Sequence, residues 1–454
     1  MPTSSANPAP KATPKARIHL RSLGCPKNQV DSEVMLGTLA LDRYAIAESL
    51  DDADVAIVNT CSFIESAREE SIEAVLEVAD RRERGRLRAV VVAGCLPQRY
   101  GAELAKELPE VDAFVGTGEF QNIARILDET LAGRSRGVYL EAGRTHLYSE
   151  RDPRILVGPT HTAYVKIAEG CNRPCAFCAI PGIRGRFQSR PLDSIVAEAR
   201  DLAAAGVKEI NLVAQDSTVW GSDRAGRERL PDLLRALDAV PDLEWIRLLY
   251  VYPTAVTGEL VDVLASGRRL LPYVDVPLQH ASDPILRAMK RGVTEAKQRA
   301  LVETLRSAIP GLTLRTTFIV GFPGETEEDF ERLCEFVRDC RFDRAGVFRY
   351  SDEEDTAAHA LPGKVPRATA RERYRKLTSI QSAIMAEKLE QMIGQEVQML
   401  VDAAFPGGAR GRLASQAPDI DGVVWLKGEA PVGSIVQARL VARRALDLEA
   451  EPLD

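Results

Sequence analysis

Apolar and polar positions along this chain follow two periods that alternate with each other. Three β-branched runs read as strands: Arg17-Ile-His-Leu-Arg-Ser-Leu23, Asp54-Val-Ala-Ile-Val-Asn59 and Leu87-Arg-Ala-Val-Val-Val-Ala93, the latter two apolar enough to be buried on both faces. Between the last two, Glu65 to Glu83 carries Ala67, Ile72, Val75, Leu76 and Ala79 at helical spacing. Strands alternating with helices build a parallel sheet. The alternation continues through Val111–Val115 and a helix near Gln121–Leu131. It then gives way to a Gly-, Arg- and charge-rich stretch, Arg134 to Pro159, that reads as a linker.

From His161 a second series begins. Strands are expected at Ala163–Ala168, Glu209–Val213, Trp245–Leu249, Tyr273–Val276, Leu312–Val320 and Arg344–Phe348. Helical patterns fall between them at Asp193–Ala205, Leu230–Ala239, Thr294–Ala308 and Glu327–Asp339. Six repeats are fewer than the eight of a closed barrel, so an open, partial barrel is expected. After a helix from about Arg371 to Met392, short runs (Glu396–Val401, Gly422–Leu426, Ser434–Val441) with Gly-rich turns read as a small all-β module. The expected class is therefore α/β. Its parts are a disordered tail over 1–16, an open parallel sheet domain over 17–132, a linker over 133–156, the partial barrel over 157–388, and a small β-barrel over 390–454.

Composition narrows the partners. In 454 residues, 59 Lys+Arg stand against 66 Asp+Glu, a net charge of −7 that argues against a basic nucleic-acid-coating protein. The first 17 residues lack the apolar run of a secretory signal, and no stretch reaches the roughly 20 apolar residues of a membrane span. Eight cysteines are too sparse for a disulfide scaffold, so a cytoplasmic protein with reduced thiols is expected.

Six of those thiols carry the chemistry. Glu169-Gly-Cys171-Asn-Arg-Pro-Cys175-Ala-Phe-Cys178 is a C-x3-C-x2-C triplet just after the first strand of the second series. Three thiolates can hold three corners of a 4Fe–4S cube and leave the fourth iron open. Structural zinc, the competing reading, wants four ligands, and no fourth Cys or His lies nearby in sequence. Cys25, Cys61 and Cys95 each fall at or just after a strand exit, separated by 36 and 34 residues. Loops after the carboxyl ends of parallel strands share one rim, so these three can converge into a second three-ligand set; separate core cysteines would instead lie within the strands.

The triplet, with Phe177 before its third cysteine, resembles the radical S-adenosylmethionine superfamily, whose fold is a partial (β/α)6 barrel. The resemblance implies that the open iron chelates S-adenosylmethionine and that an electron from the cluster releases a 5′-deoxyadenosyl radical. It also implies that Phe177 lies by the adenine and that Gln215 and Asp216 contact the methionine moiety, although the Gly-Gly-Glu of many members is missing there. Core packing is the alternative for Phe177. A three-cysteine α/β domain, a radical core and a C-terminal β module resembling the TRAM domain together resemble the methylthiotransferases, over nearly the whole chain from Arg17. In that family one S-adenosylmethionine supplies the radical and a second the methyl group, with the N-terminal cluster handling sulfur; no catalytic residue beyond the clusters is implied.

Gly24-Cys-Pro-Lys-Asn28 resembles the ribosomal-protein (RimO-type) branch, where the tRNA branch usually has Gly-Cys-Gln-Met-Asn. So do Lys166–Gly170, Ile180–Gly185, Val276-Pro-Leu-Gln-His280 and Arg315–Glu325. The implied substrate is an aspartate β-carbon in small-subunit ribosomal protein S-twelve. The alternatives are a tRNA adenosine and a non-catalytic metal-binding module on the ribosome. The C-terminal module from Glu390 holds six basic and ten acidic residues, with Phe405 and Trp425 its only aromatics. That suits a basic protein loop better than RNA. Bland expectations stand for the rest. Cys334, Cys340, Met385, Met392 and Met399 are expected in cores and His280 in a structural role, while Arg184, Arg186 and Arg190 could grip carboxylates or line a solvated loop.

Overall fold

The computed structural model describes residues 13–134, 136–140 and 146–453. Residues 1–12 of the expected tail, and 135 and 141–145 of the expected linker, lie outside these. Two compact units form. Of the described residues, the first comprises 13–62, 66–134, 136–140 and Asp152–Ile155; the second comprises Phe63–Glu65, 146–151 and 156–453.

The first unit is a six-stranded parallel sheet. Its spatial order is Ala45–Ile46, Arg17–Ser22, Val55–Thr60, Ala89–Gly94, Ala113–Val115, Gly137–Tyr139. The two central strands, Val55–Thr60 and Ala89–Gly94, are buried at every residue, which is why they read as unbroken apolar runs. The edge strand Gly137–Tyr139 lies inside the stretch expected as a linker. The second strand in sequence pairs outside the first, so the chain reverses direction across the sheet between Arg17–Ser22 and Val55–Thr60. Such a switch point opens a crevice at the carboxyl ends, where ligands bind in open α/β sheets.

The second unit carries another six-stranded parallel sheet, here in plain sequence order: Thr162–Lys166, Glu209–Val213, Trp245–Leu248, Leu270–Asp275, Thr313–Val320, Arg344–Arg349. This is the open, partial barrel. Its core joins strand residues such as Val165, Ile210, Leu212, Ile246 and Phe318 to the helices Leu192–Ala204, Leu230–Asp238, Gly258–Ser266, Glu295–Ala308 and Glu327–Cys340. The chain ends in a closed five-stranded barrel built from Glu396–Phe405, Gly408–Leu413, Val424–Lys427, Asp447–Pro452 and Ile435–Arg444.

This small barrel docks on the sheet through charges. Arg412 reaches Glu209 at 2.7 Å and Asp402 at 2.8 Å, and Asp402 also meets His161 at 2.9 Å. Asp421 accepts from Tyr273 at 2.5 Å and lies 3.6 Å from Arg315. Arg247, fully buried, pairs with Glu209 at 3.0 Å. Three of the ten acidic residues of the C-terminal module, Asp402, Asp419 and Asp421, and one of its six basic ones are engaged in this contact, leaving seven acidic and five basic. No helix among the described residues is long and apolar enough to cross a membrane.

Candidate functional site

In the first unit the three cysteines sit at the strand exits on the carboxyl-end rim. Cys25 caps the helix Pro26–Leu41 and Cys95 opens the helix Cys95–Glu107. Gly24 holds φ at +87°, and a Cβ there would stand 2.7 Å from the Cys61 Cβ and 3.2 Å from its Sγ. Only glycine lets the Cys25 and Cys61 loops approach this closely.

Asn28, fully buried, fixes the same rim. Its Nδ2 donates to Leu23 O at 3.1 Å and Thr60 O at 2.9 Å, and its backbone carbonyl accepts from Asn59 Nδ2 at 2.8 Å. Its Oδ1 lies 3.6 Å from the Cys95 Sγ. Thr60 Oγ1 donates to Ala93 O at 2.6 Å, Ser62 Oγ to Cys95 O at 3.0 Å, and the Cys61 amide to Ser71 Oγ at 3.0 Å. A web of neutral amides and hydroxyls thus ties the three cysteine-bearing exits together.

In the second unit the triplet lies on one loop after Ala168–Glu169. The loop closes on itself and its neighbours: Cys171 N donates to Gly185 O at 3.1 Å, Cys178 N to Cys175 O at 3.2 Å, and Ala176 N to Met289 O at 3.0 Å. Burial pushes the Cys171 thiol up, opposed by the Arg173 N–H on its sulfur, and raises Cys178 to about 12. Ligation at these sulfurs therefore has to displace protons. Among the described residues of the chain, no three Cys, His, Asp or Glu side chains stand at the spacing of a single metal ion's ligands. A 4Fe–4S cube takes its thiolates on separate irons.

Charged groups crowd this loop. Arg291 donates from Nη1 to the Cys175 Sγ at 3.2 Å and from Nη2 to Pro277 O at 2.6 Å. The Tyr252 ring lies between two guanidiniums, Arg173 at 3.8 Å and Arg291 at 4.2 Å from its centroid. Arg173 pairs with Asp216 at 2.6 Å. Four buried polar atoms lack a partner here: Arg173 Nη2, Gln215 Oε1, Gln279 Oε1 and Arg291 Nε. Buried polar atoms are costly when unpaired. Donors and acceptors of both kinds left over at the strand exits fit a zwitterionic, nucleoside-bearing ligand such as S-adenosylmethionine.

Three family models match the chain: an uncharacterized protein family, UPF0004, over 17–116, the radical SAM superfamily over 165–337, and the TRAM domain over 393–453. A Geobacter sulfurreducens protein described as ribosomal protein uS12 methylthiotransferase RimO is 48% identical over 96% of this chain and 98% of its own. A relative of the same description from Anaeromyxobacter is 49% identical over 95% and 92%. The chain belongs to the RimO-type methylthiotransferase family. It is a radical S-adenosylmethionine methylthiotransferase, and its cofactors are 4Fe–4S clusters and S-adenosylmethionine. Among solved structures, the radical S-adenosylmethionine methyltransferase TsrM of Kitasatospora setae, with cobalamin and a 4Fe–4S cluster bound, superposes with a TM-score of 0.54 at 16% identity, over 89% of this chain and 81% of that one. The cobalamin-dependent radical enzyme OxsB gives 0.51 at 13% identity, over 82% and 56%. These two show the shared fold.

The remaining sequence-derived residues fall as follows. Phe177 packs, half-buried, against the cluster of Ala176, Ile285, Met289, Phe322 and Ala358. Gln215 donates to Glu169 at 2.5 Å, and Asp216 is engaged by Arg173. Glu169 is buried, but Lys166 and Arg184 outweigh the burial and hold its carboxyl well below the usual range. Arg184 and Arg190 are thus buried structural cations, Arg190 on Glu198 at 2.5 Å, while Arg186 is exposed. His280 is fully buried, accepts from Ser282 N at 3.0 Å and lies 3.5 Å from Glu325. Cys334 and Cys340 are core residues, Met399 belongs to the small barrel's core, and Met385 and Met392 pack, partly buried, against it. Tyr252, Gln279 and Arg291 escaped the sequence reading. Val276-Pro-Leu-Gln-His280 was noted only as a matching motif, and nothing local marks Arg291.

Proposed function

We propose that this enzyme methylthiolates the β-carbon of an aspartate in ribosomal protein S-twelve (uS12), free or on the ribosome, in the cytoplasm. Cys171, Cys175 and Cys178 hold the radical-generating 4Fe–4S cluster; Cys25, Cys61 and Cys95 hold a second one that handles sulfur. Two S-adenosylmethionine molecules are used, one for the radical and one for the methyl group. The observation that carries this reading is the pair of three-cysteine rims, each at the carboxyl ends of its own parallel sheet. Bound there, the clusters supply reducing electrons and a sulfur to be transferred.

The chain's own groups do the rest. The Cys171–Cys178 loop, pinned by Gly185 and Met289 carbonyls, presents its sulfurs in fixed positions. Gln215 and Gln279 offer buried acceptors to the cofactor, and Arg173 a spare donor. Asp216 is read as a contact made through Arg173, and Phe177 as the apolar wall beside the adenine. Hydrogen abstraction is by a radical, so no side chain is asked to act as a base toward the substrate. The C-terminal module supports a protein substrate: its remaining seven acidic and five basic residues suit a basic loop.

Incubating the anaerobically reconstituted enzyme with S-adenosylmethionine, reductant and either isolated uS12 or tRNA tests the reading. Mass spectrometry is expected to find a methylthio group on one aspartate of uS12. A gain only on tRNA would overturn the substrate assignment.

A further inference from the structure

Arg291 is 4% exposed, and its guanidinium meets a sulfur, a carbonyl and a phenol ring. Among the described residues no carboxylate pairs with it. Arg173, on the other face of the same ring, is neutralised by Asp216 at 2.6 Å. The other buried arginines of this unit have acidic partners: Arg184 on Glu169, Arg190 on Glu198, Arg247 and Arg412 on Glu209, Arg344 by Asp421 at 4.0 Å, Arg373 on Glu325. A buried cation without a counter-charge is expensive. What faces Arg291 is the Cys175 sulfur, 3.2 Å from Nη1, with the Tyr252 hydroxyl 3.9 Å from the same sulfur. The counter-charge this arginine waits for is a ligated thiolate.

We infer that Arg291 is a positioning residue that sets the reduction potential of the cluster held by Cys171, Cys175 and Cys178. The inference rests on the proposed assignment of that cluster. Reduction adds one electron, drawn from an external one-electron reductant (dithionite in the assay), and breaks no bond. It makes the cluster and its thiolates more negative by one charge. A fixed guanidinium donating an N–H···S bond stabilises that extra charge more than it stabilises the oxidised form, because cluster potentials follow net charge and hydrogen bonds to sulfur. Tyr252 holds the arginine in place: its ring underlies the guanidinium and its hydroxyl donates to the Arg291 carbonyl at 3.1 Å.

The test is a potentiometric titration of the reconstituted full-length enzyme, followed by electron paramagnetic resonance, with iron content measured on each variant. The cluster in question is identified by the change of its signal on adding S-adenosylmethionine. Arg291→Gln is expected to shift that midpoint to a more negative potential with iron content unchanged. Arg291→Lys, which keeps the charge but loses the planar fork, is expected to shift it less and guards against a folding failure of the first variant. The other cluster's midpoint stays where it was in both. An unshifted potential in a fully loaded Arg291→Gln enzyme overturns the inference, even if the KM for S-adenosylmethionine rises, because the arginine then serves the cofactor alone. Absence of a cluster at Cys171, Cys175 and Cys178 in the unsubstituted enzyme, seen in the iron content, overturns the assignment beneath it.

Discussion

Two three-cysteine rims stand on two parallel sheets, and they are built by opposite means. One is local: Cys171, Cys175 and Cys178 share a single loop shaped by backbone hydrogen bonds within it and to the Gly185 and Met289 carbonyls. The other is assembled: Cys25, Cys61 and Cys95 come from three strand exits and meet only because the sheet reverses its winding between the first two. The surroundings differ as well. The assembled rim is fixed mainly by neutral groups, Asn28, Asn59, Thr60, Ser62 and Ser71, with Arg99 donating to the Ser62 carbonyl, above central strands whose bodies, Val55–Val58 and Ala89–Gly94, are apolar. The local rim sits among arginines, above a sheet whose strands carry Lys166, Glu209, Arg247, Asp275 and Arg315 inside. A locally closed loop can tolerate a charged, partly open barrel beneath it. A rim gathered from distant segments depends on a rigid apolar sheet to place each ligand.

The sharpest way to break this comparison is to remove one ligand at a time. Cys175→Ala is expected to abolish 5′-deoxyadenosine formation, whereas Cys61→Ala is expected to leave it and abolish methylthio transfer; chromatography of the nucleoside and the mass of uS12 read the two outcomes. Loss of 5′-deoxyadenosine in both variants would mean that the rims do not divide the work.

Next in size is the charged interior of the second sheet. Burial alone would raise the Glu209 carboxyl, but Arg412 and Arg247 outweigh it and hold it at about 2, against an ordinary value of 4.5. A depressed carboxylate contributes stability that is complete above the unfolded value and is lost as pH falls from about 4.5 toward 2. Glu209→Gln strands the buried Arg247 and takes from Arg412 one of its two carboxylates, and is expected to cost the second unit about 3–5 kcal/mol at neutral pH. It should also flatten that acid limb in denaturant titrations followed by circular dichroism.

Asn28→Ala probes the neutral rim. It leaves the Leu23 and Thr60 carbonyls without their amide donor, a loss of about 2–4 kcal/mol in the first unit. Hydrogen exchange should show that loss confined to the first sheet, with the iron of the local rim retained. Gly24→Ala is the smallest of these changes. It forces a Cβ onto a left-handed backbone beside Cys61, for about 1–2 kcal/mol, and iron titration should show weakened loading of the assembled rim alone.

Much of this was legible along the chain because period and spacing are local properties. Glu209–Val213 was read residue for residue, and both cysteine sets were placed at strand exits. Edge strands of two and three residues, Ala45–Ile46 and Gly137–Tyr139, are too short to show a period. Gly408–Leu413 is masked by its two glycines, and Asp447–Pro452, although it alternates, has no β-branched or aromatic residue. Strand order leaves no trace in a run of valines, so the switch point between Arg17–Ser22 and Val55–Thr60 had to be seen. The meeting of Tyr252 and Arg291 at Cys175 joins three separate loops, and no spacing within any one of them announces it. The acidic bias of the C-terminal module read correctly as a count. Which carboxylates face outward depended on docking, and Asp402 and Asp421 face inward.

The most direct test of the two-rim account is iron stoichiometry after anaerobic reconstitution. The account predicts about eight irons per chain, falling to about four when Cys25, Cys61 and Cys95 are replaced by Ala and to about four when Cys171, Cys175 and Cys178 are replaced instead. About four irons in the unsubstituted chain, unchanged by removing Cys25, Cys61 and Cys95, would contradict it.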